Sequence, residues 1–171
     1  MKILIAYAGR VGVTAECAEL LKKALDGRDV TLCDLKTEKP HIEEYDAVIV
    51  GSAVYYGRAE KCARRFVADH AEELKGKKLG FYICCAYADM FERYLNEAYT
   101  ANLCRQAVEC GYFGGELKPH KQKGFFAKLF AKSMRNDIIN NGDSDDESMV
   151  RILPEINTSE ISRFADKIKK S

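Results

Sequence analysis

Gly9, Arg10, Gly12 and Thr14 fall within one short run, Tyr7-Ala8-Gly9-Arg10-Val11-Gly12-Val13-Thr14, where an apolar stretch gives way to a helical pattern. Those residue types at that spacing suit the binding of an anion. A phosphate dianion needs several converging N–H donors, and a helix N-terminus supplies them together with a favourable dipole. The glycines let the backbone bend and come close, the Thr14 hydroxyl can add a donor, and Arg10 can add charge. Each hydrogen bond to a charged group is worth about 1.5–3 kcal/mol net, so a handful holds a phosphate. A glycine-bearing turn with no ligand is the plain alternative. The chain has no GxxxxGK[ST], which excludes the P-loop NTPases, and no GxGxxG of the dinucleotide sites.

Two later turns lack phosphate chemistry and carry aromatics instead. Gly51-Ser52-Ala53 runs into Val54-Tyr55-Tyr56-Gly57, and Cys84-Cys85-Ala86 is followed by Tyr87. A flat isoalloxazine ring needs apolar or aromatic faces and backbone amides at its polar edge. Each tyrosine alone reads as a half-buried loop residue. Together, at adjacent strand ends of one parallel sheet, they form a crevice of the kind that takes phosphate-bearing ligands. A flavin nucleotide is therefore the leading ligand.

Regular elements must bring those turns together. Ile3-Leu4-Ile5-Ala6-Tyr7 is continuously apolar, as a central strand covered on both faces should be. Thr14 can cap the following helix, whose Cys17, Ala18, Leu21 and Leu25 recur at helical spacing. Val30 to Cys33 alternates like an edge strand, and the connection from Lys36 to Tyr45 has room for about one helical turn. Ala47 to Val50 and Leu79 to Cys85 read as further buried strands. Between them a helix aligns Ala59, Cys62, Ala63, Phe66, Val67 and His70. A helix is expected from about Met90 to Cys110, with Tyr94, Leu95, Ala98 and Leu103 inward, then a fifth strand from Tyr112 to Leu117. Asn157 with Glu160 makes a capping box for a last helix that buries Ile161, Phe164, Ala165 and Ile168. Strands alternating with helices imply right-handed βαβ units and a doubly wound α/β sheet.

The chain resembles the flavodoxin family across almost its whole length. The resemblance rests on the apolar first strand ending in an aromatic, the turn closing on Gly12-x-Thr14, the Gly51-Ser52 strand end and the short second crossover. Within the family it is most similar to the menaquinone-dependent protoporphyrinogen oxidases, through Gly51-Ser52-Ala53-Val54-Tyr55-Tyr56-Gly57, the helix through Phe66 and His70, and a basic, aromatic insert. The resemblance implies one flavodoxin-like domain over residues 1–171, a three-layer α/β/α sandwich whose five-stranded parallel sheet has the order 2-1-3-4-5. It implies FMN bound noncovalently. The phosphate would lie on Gly9, Arg10, Val11, Gly12, Val13 and Thr14, and the ring between Ser52 to Gly57 and Cys84, Cys85, Ala86 and Tyr87. Family members usually carry Ser or Thr where this chain has Gly9.

An insertion at about 118–149 precedes the last helix. From Lys118 to Asn136 it carries six basic residues and no acidic one. Phe125, Phe126, Leu129 and Phe130 gather on one side of a helix and Lys128, Lys132 and Arg135 elsewhere. Such a helix suits an anionic membrane surface or an anionic substrate, with His120, Phe125, Phe126, Lys128, Phe130 and Lys132 as the contacts. The aromatics covering the sheet, or a second copy of the chain in a homodimer, is the equal alternative. The acidic run from Asp143 to Glu147 reads as a solvated loop, since an EF-hand register from Asp137 would put Ile139 at a ligand position.

A net charge of +1 over 171 residues excludes wholesale nucleic-acid binding. The seven cysteines match no zinc or CxxC spacing, so no metal site is expected and the thiols fit a reducing cytosol. No run approaches ~20 apolar residues, so contact with the inner face of the membrane would be peripheral. His70 is expected in the core and His41 in solvent. Three functions stay open: an FMN-dependent oxidoreductase working between an organic substrate, such as a protoporphyrinogen, and an acceptor such as a quinone; a flavodoxin-type electron carrier; and a cofactor-free binding module. Arg58, Lys61, Arg64 and Arg65, with Glu60 the lone acid nearby, disfavour the acidic rim of a carrier. The redox partner is not legible.

Overall fold

A computed structural model describes residues 1–115 and 155–171, together with Lys132. Strands β1 (Lys2–Ala8), β2 (Asp29–Asp34), β3 (Ala47–Tyr55), β5 (Lys78–Cys84) and β6 (Glu109–Tyr112) form one parallel sheet in the order β2-β1-β3-β5-β6. A two-residue strand β4 (Arg58–Ala59) folds back antiparallel on the end of β3. Leaving β4 aside, the five parallel strands have the 2-1-3-4-5 order that the family resemblance implies, with β2 at the edge.

Continuous apolar strands demand cover on both faces, and helices supply it. Leu4, Ala6, Val48, Val50, Phe81 and Ile83 pack against α2 (Lys61–Asp69), α3 (Ala71–Leu74), α4 (Phe91–Ala98) and α5 (Ala101–Gln106). On the other face Ile3, Ile5, Ile49 and Tyr82 pack against α1 (Val13–Ala24) and the C-terminal helix α6 (Thr158–Lys170). Fully burying each large apolar side chain contributes about 1.5–3 kcal/mol, so the two layers dominate the stability.

Four details correct the sequence reading. The helix expected from Met90 to Cys110 is two helices, because Tyr99 and Thr100 are extended. The Tyr99 ring turns into the core, stacks on Phe81 at 4.5 Å and donates its hydroxyl to the Val50 carbonyl. The fifth parallel strand accordingly starts at Glu109, with Cys110 opposite Phe81, and ends at Tyr112. Thr14 does not cap α1; Gly12 does, in the left-handed region at φ 91°. Finally, the capping box is half made. Asn157 Oδ1 accepts the Glu160 N–H at 3.1 Å, while the Glu160 carboxylate turns to Arg163 and the Asn157 N–H goes to the Phe113 carbonyl.

Candidate functional site

The carboxyl ends of β1, β3 and β5 are neighbours, so the three turns singled out above meet along one edge of the sheet. At the first turn the chain leaves β1 at Ala8, and Gly12 delivers it into α1, where the Glu16 N–H closes on the Gly12 carbonyl at 2.9 Å. A Cβ on Gly9 would stand 2.6 Å from Thr14 Oγ1 and 2.9 Å from Thr14 Cβ. The Thr14 side chain thus fills the room that Ser or Thr would need at position 9. Thr14 is only 2% exposed, and its carbonyl accepts the Tyr82 hydroxyl. With the Thr14 side chain buried against Gly9, the exposed donors offered to an anion are the backbone N–H groups of the loop. Lys36 adds a cation, its Nζ donating to the Gly9 carbonyl at 3.0 Å.

The second turn is tighter than an open ring-binding loop. Val54 pairs with Ala59 and Tyr55 with Arg58, leaving Tyr56 (φ 50°) and Gly57 (φ 74°) as a two-residue hairpin turn. Two successive positive φ angles suit the right-handed twist of the flanking strands. Ser52 is fully buried and staples this hairpin: its Oγ accepts the Glu60 N–H and donates to the Ala53 carbonyl, both at 2.9 Å.

Tyr55 reaches across to the first turn. There its ring lies against the Arg10 side chain. The Arg10 guanidinium lies 4.7 Å over the same ring, a cation–π contact. Arg10 Nε also donates to Glu60 Oε1 at 2.5 Å, where Arg10 is 51% exposed and Glu60 only 8%. Burial raises the Tyr55 phenol above its ordinary pKa, and the bond to Glu60 raises the Arg10 guanidinium.

Backbone packing fixes the third turn. The Cys85 N–H donates to the Gly114 carbonyl at 3.0 Å, and the Tyr112 hydroxyl donates to the Cys85 carbonyl at 3.1 Å. A Cβ on Gly115 would lie 2.5 Å from that carbonyl oxygen, so only glycine permits the approach. Ala86 is half-buried and Tyr87 is 39% exposed at the rim. Burial pushes the Cys85 thiol up to about 11. The Cys84 thiol stands well above its ordinary range through its hydrogen bond to Cys17 and through burial. Neither is a thiolate near neutrality, which makes both packing residues.

His120, Phe125, Phe126, Lys128 and Phe130 lie outside the described residues, and Lys132 is helical and exposed. His41 is exposed as expected. His70 is not a core residue: it is half-buried at the end of α2, its ring 5.0 Å from Phe66 and its Nδ1 3.2 Å from Glu73 Oε1. Lys36 and the Arg10–Glu60 pair went unread, because 27 and 50 residues separate the partners and only the strand order unites them. Among the described residues no three His, Cys, Asp or Glu are grouped to hold a metal, and no helix is long and apolar enough to cross a membrane.

A family model described as a flavodoxin domain matches residues 4–145. The chain belongs to the flavodoxin family. This flavodoxin-family chain is 33% identical over 85 residues to the protoporphyrinogen IX dehydrogenase [quinone] of Escherichia coli K12, covering 48% of this chain and 47% of that protein. The chain therefore spans about half the length of the relatives it matches. Among solved structures it resembles the Fusobacterium nucleatum flavodoxin bound to flavin mononucleotide, with TM-score 0.52 at 14% identity over 99% of this chain and 97% of that one. A flavodoxin from the domain Archaea gives TM-score 0.53 at 18% identity, over 82% and 98% of the two chains. At such identities the likeness is one of fold.

Proposed function

We propose that this flavodoxin-family domain, residues 1–171, binds FMN noncovalently across the three turns and acts as an oxidoreductase. The observation that carries the reading is the meeting of the glycine-bearing turn at the N-terminus of α1 with two aromatic-bearing turns, at the neighbouring carboxyl ends of β1, β3 and β5. The first turn and the N-terminus of α1 offer the backbone N–H donors a phosphate needs, and Arg10 and Lys36 stand beside them as cations. Residues present therefore fit the phosphate. Val54, Tyr55, Ala86 and Tyr87 would flank the ring, and Thr14, Ser52 and Cys84 would support these walls from inside. When bound, the flavin supplies the electron chemistry. The protein's part is to hold it, to exclude water from its inner face and to present its outer edge.

The substrate is proposed to be a protoporphyrinogen-like organic reductant and the acceptor a quinone. The partial similarity to the E. coli enzyme supports this. So does the exposed basic surface of Arg58, Lys61 and Arg65 beside the second turn, suited to a carboxylate-bearing substrate. The basic insert, with exposed Lys132, is proposed to bring the domain to an anionic membrane surface where a quinone resides. The test is an anaerobic assay of the FMN-loaded protein with protoporphyrinogen and a menaquinone analogue, followed by porphyrin fluorescence. Turnover that needs both FMN and the quinone is expected. A flavin that a reductase reduces, with no porphyrinogen oxidised, would leave an electron carrier as the better function.

A further inference from the structure

The two cations beside the first turn are not equivalent. β2 and β3 flank β1 on opposite sides, so each cation answers to a different neighbour. On the β3 side the Arg10 guanidinium meets the buried Glu60 carboxylate at 2.5 Å and lies over the Tyr55 ring. Lys36 comes from the β2 side. Its Nζ donates to the Gly9 carbonyl at 3.0 Å, and among the described residues no carboxylate pairs with it. The turn after β2 holds Lys36 in that place. The Leu35 N–H bonds the Tyr7 carbonyl at 3.0 Å, which ties this turn to the end of β1. Asp34 Oδ1 accepts the Lys36 backbone N–H at 3.0 Å, and the Asp34 carbonyl accepts the Thr37 and Glu38 N–H groups at 3.0 and 2.9 Å. The Asp34 carboxylate is thus engaged by backbone, not by the ammonium, and Lys36 keeps its charge.

We propose that Lys36, rather than Arg10, is the cation that fixes the phosphate of the bound nucleotide, in the place of the hydroxyl that Gly9 lacks. The inference rests on the flavin-nucleotide reading for the identity of its ligand. A side chain at position 9 would collide with Thr14, so the turn itself has no room for a further donor there. Lys36 reaches the same residue from outside. Its ammonium carries three N–H donors; the Gly9 carbonyl takes one and leaves the others to phosphate oxygens. A compact point charge on a flexible stem also needs no fixed angle of approach. Turning Arg10 to the phosphate would instead leave Glu60, only 8% exposed, without its partner, a penalty that Lys36 avoids. The consequence is selectivity by charge. The phosphorylated flavin is held in preference to riboflavin, and because Lys36 is exposed, salt weakens the hold.

FMN is titrated into wild type, Lys36→Met, Lys36→Arg and Arg10→Gln by quenching of flavin fluorescence at low and high salt, with riboflavin as the phosphate-free control. Lys36→Met keeps the apolar stem and removes the charge. It is expected to weaken FMN about tenfold, to leave riboflavin unchanged and to flatten the salt dependence of wild type. Lys36→Arg should restore most of the affinity, and Arg10→Gln should cost only about twofold. An FMN affinity in Lys36→Met within about twofold of wild type would overturn the proposal. So would a loss in Arg10→Gln as large as that in Lys36→Met. Should wild type bind no FMN, the cofactor reading falls, and inorganic phosphate becomes the probe, followed by the amide signals of residues 9–13. A saturable shift in wild type that Lys36→Met abolishes supports the role of Lys36. No shift, or the same shift in both proteins, removes it.

Discussion

The Tyr55 side and the Cys85 side of the crevice stand at neighbouring strand ends and are held by different kinds of contact. On the Tyr55 side the contacts are between side chains: a guanidinium on a ring, and one ion pair with a half-exposed partner. Each is worth on the order of 1 kcal/mol and can be exchanged for a contact to a ligand or to water. The Cys85 side is backbone against backbone, with the Gly114 carbonyl and Gly115 pressed on Cys85 and no space for a Cβ. Contacts of that kind do not exchange. The comparison teaches that ligand entry should move the Tyr55 side against a fixed Cys85 side.

Substitutions can break this contrast from either end. The largest effect is expected at the fixed side, where Gly115→Ala would drive a methyl into the Cys85 carbonyl. A stability loss of about 2–3 kcal/mol in urea unfolding is predicted, the usual range for overpacking that backbone must absorb. A loss too small to measure would mean the third turn is as yielding as the second. Gly9→Ser comes next. Its Cβ meets the Thr14 side chain rather than backbone, so about 1–2 kcal/mol is expected from thermal melts, part of it recovered by adding Thr14→Ala. Putting a hydroxyl back at position 9 should therefore weaken this protein's hold on FMN instead of improving it. If the variant bound more tightly, the place of Thr14 in the account would be wrong.

A smaller effect is expected at the yielding side. A double-mutant cycle with Arg10→Gln and Glu60→Gln should return a coupling of about 1 kcal/mol, because Arg10 is half-exposed and water screens the pair. A coupling several times larger would make this a rigid wall after all. The smallest change is predicted with pH. Burial raises the Cys85 thiol from an ordinary 9 to about 11, so the folded state favours the protonated form. The stability this gives is complete below pH 9 and is lost as the pH rises towards 11. Urea unfolding at intervals across that range should show a decline that is shallower in Cys85→Ala than in wild type. Parallel declines would assign the alkaline loss to other groups.

The buried strands and the three turns were legible because apolar runs and their abrupt ends are local signals, while the strand order came from the family resemblance. Local signals also misled. The pattern Tyr94, Leu95, Ala98, Leu103 continues at helical spacing through Tyr99, yet that ring serves the core better extended, against Phe81. Thr14 looked like a cap, since nothing in the sequence shows that its side chain folds over Gly9 and that Gly12 takes the capping position. Ser52, expected beside the ring, also staples a hairpin, a role no local pattern shows. The contact of Tyr55 with the first turn could not be read at all. It depends on β1 and β3 lying side by side, and on a turn whose length decides where the phenol lands.

The account's central claim is that the three turns hold one flavin nucleotide. The most direct measurement is the visible spectrum of the protein mixed with excess FMN and passed through a desalting column. Oxidised-flavin bands eluting with the protein at about one flavin per chain are the predicted result. Colourless, folded protein, with all the flavin left in the small-molecule fraction, would contradict it.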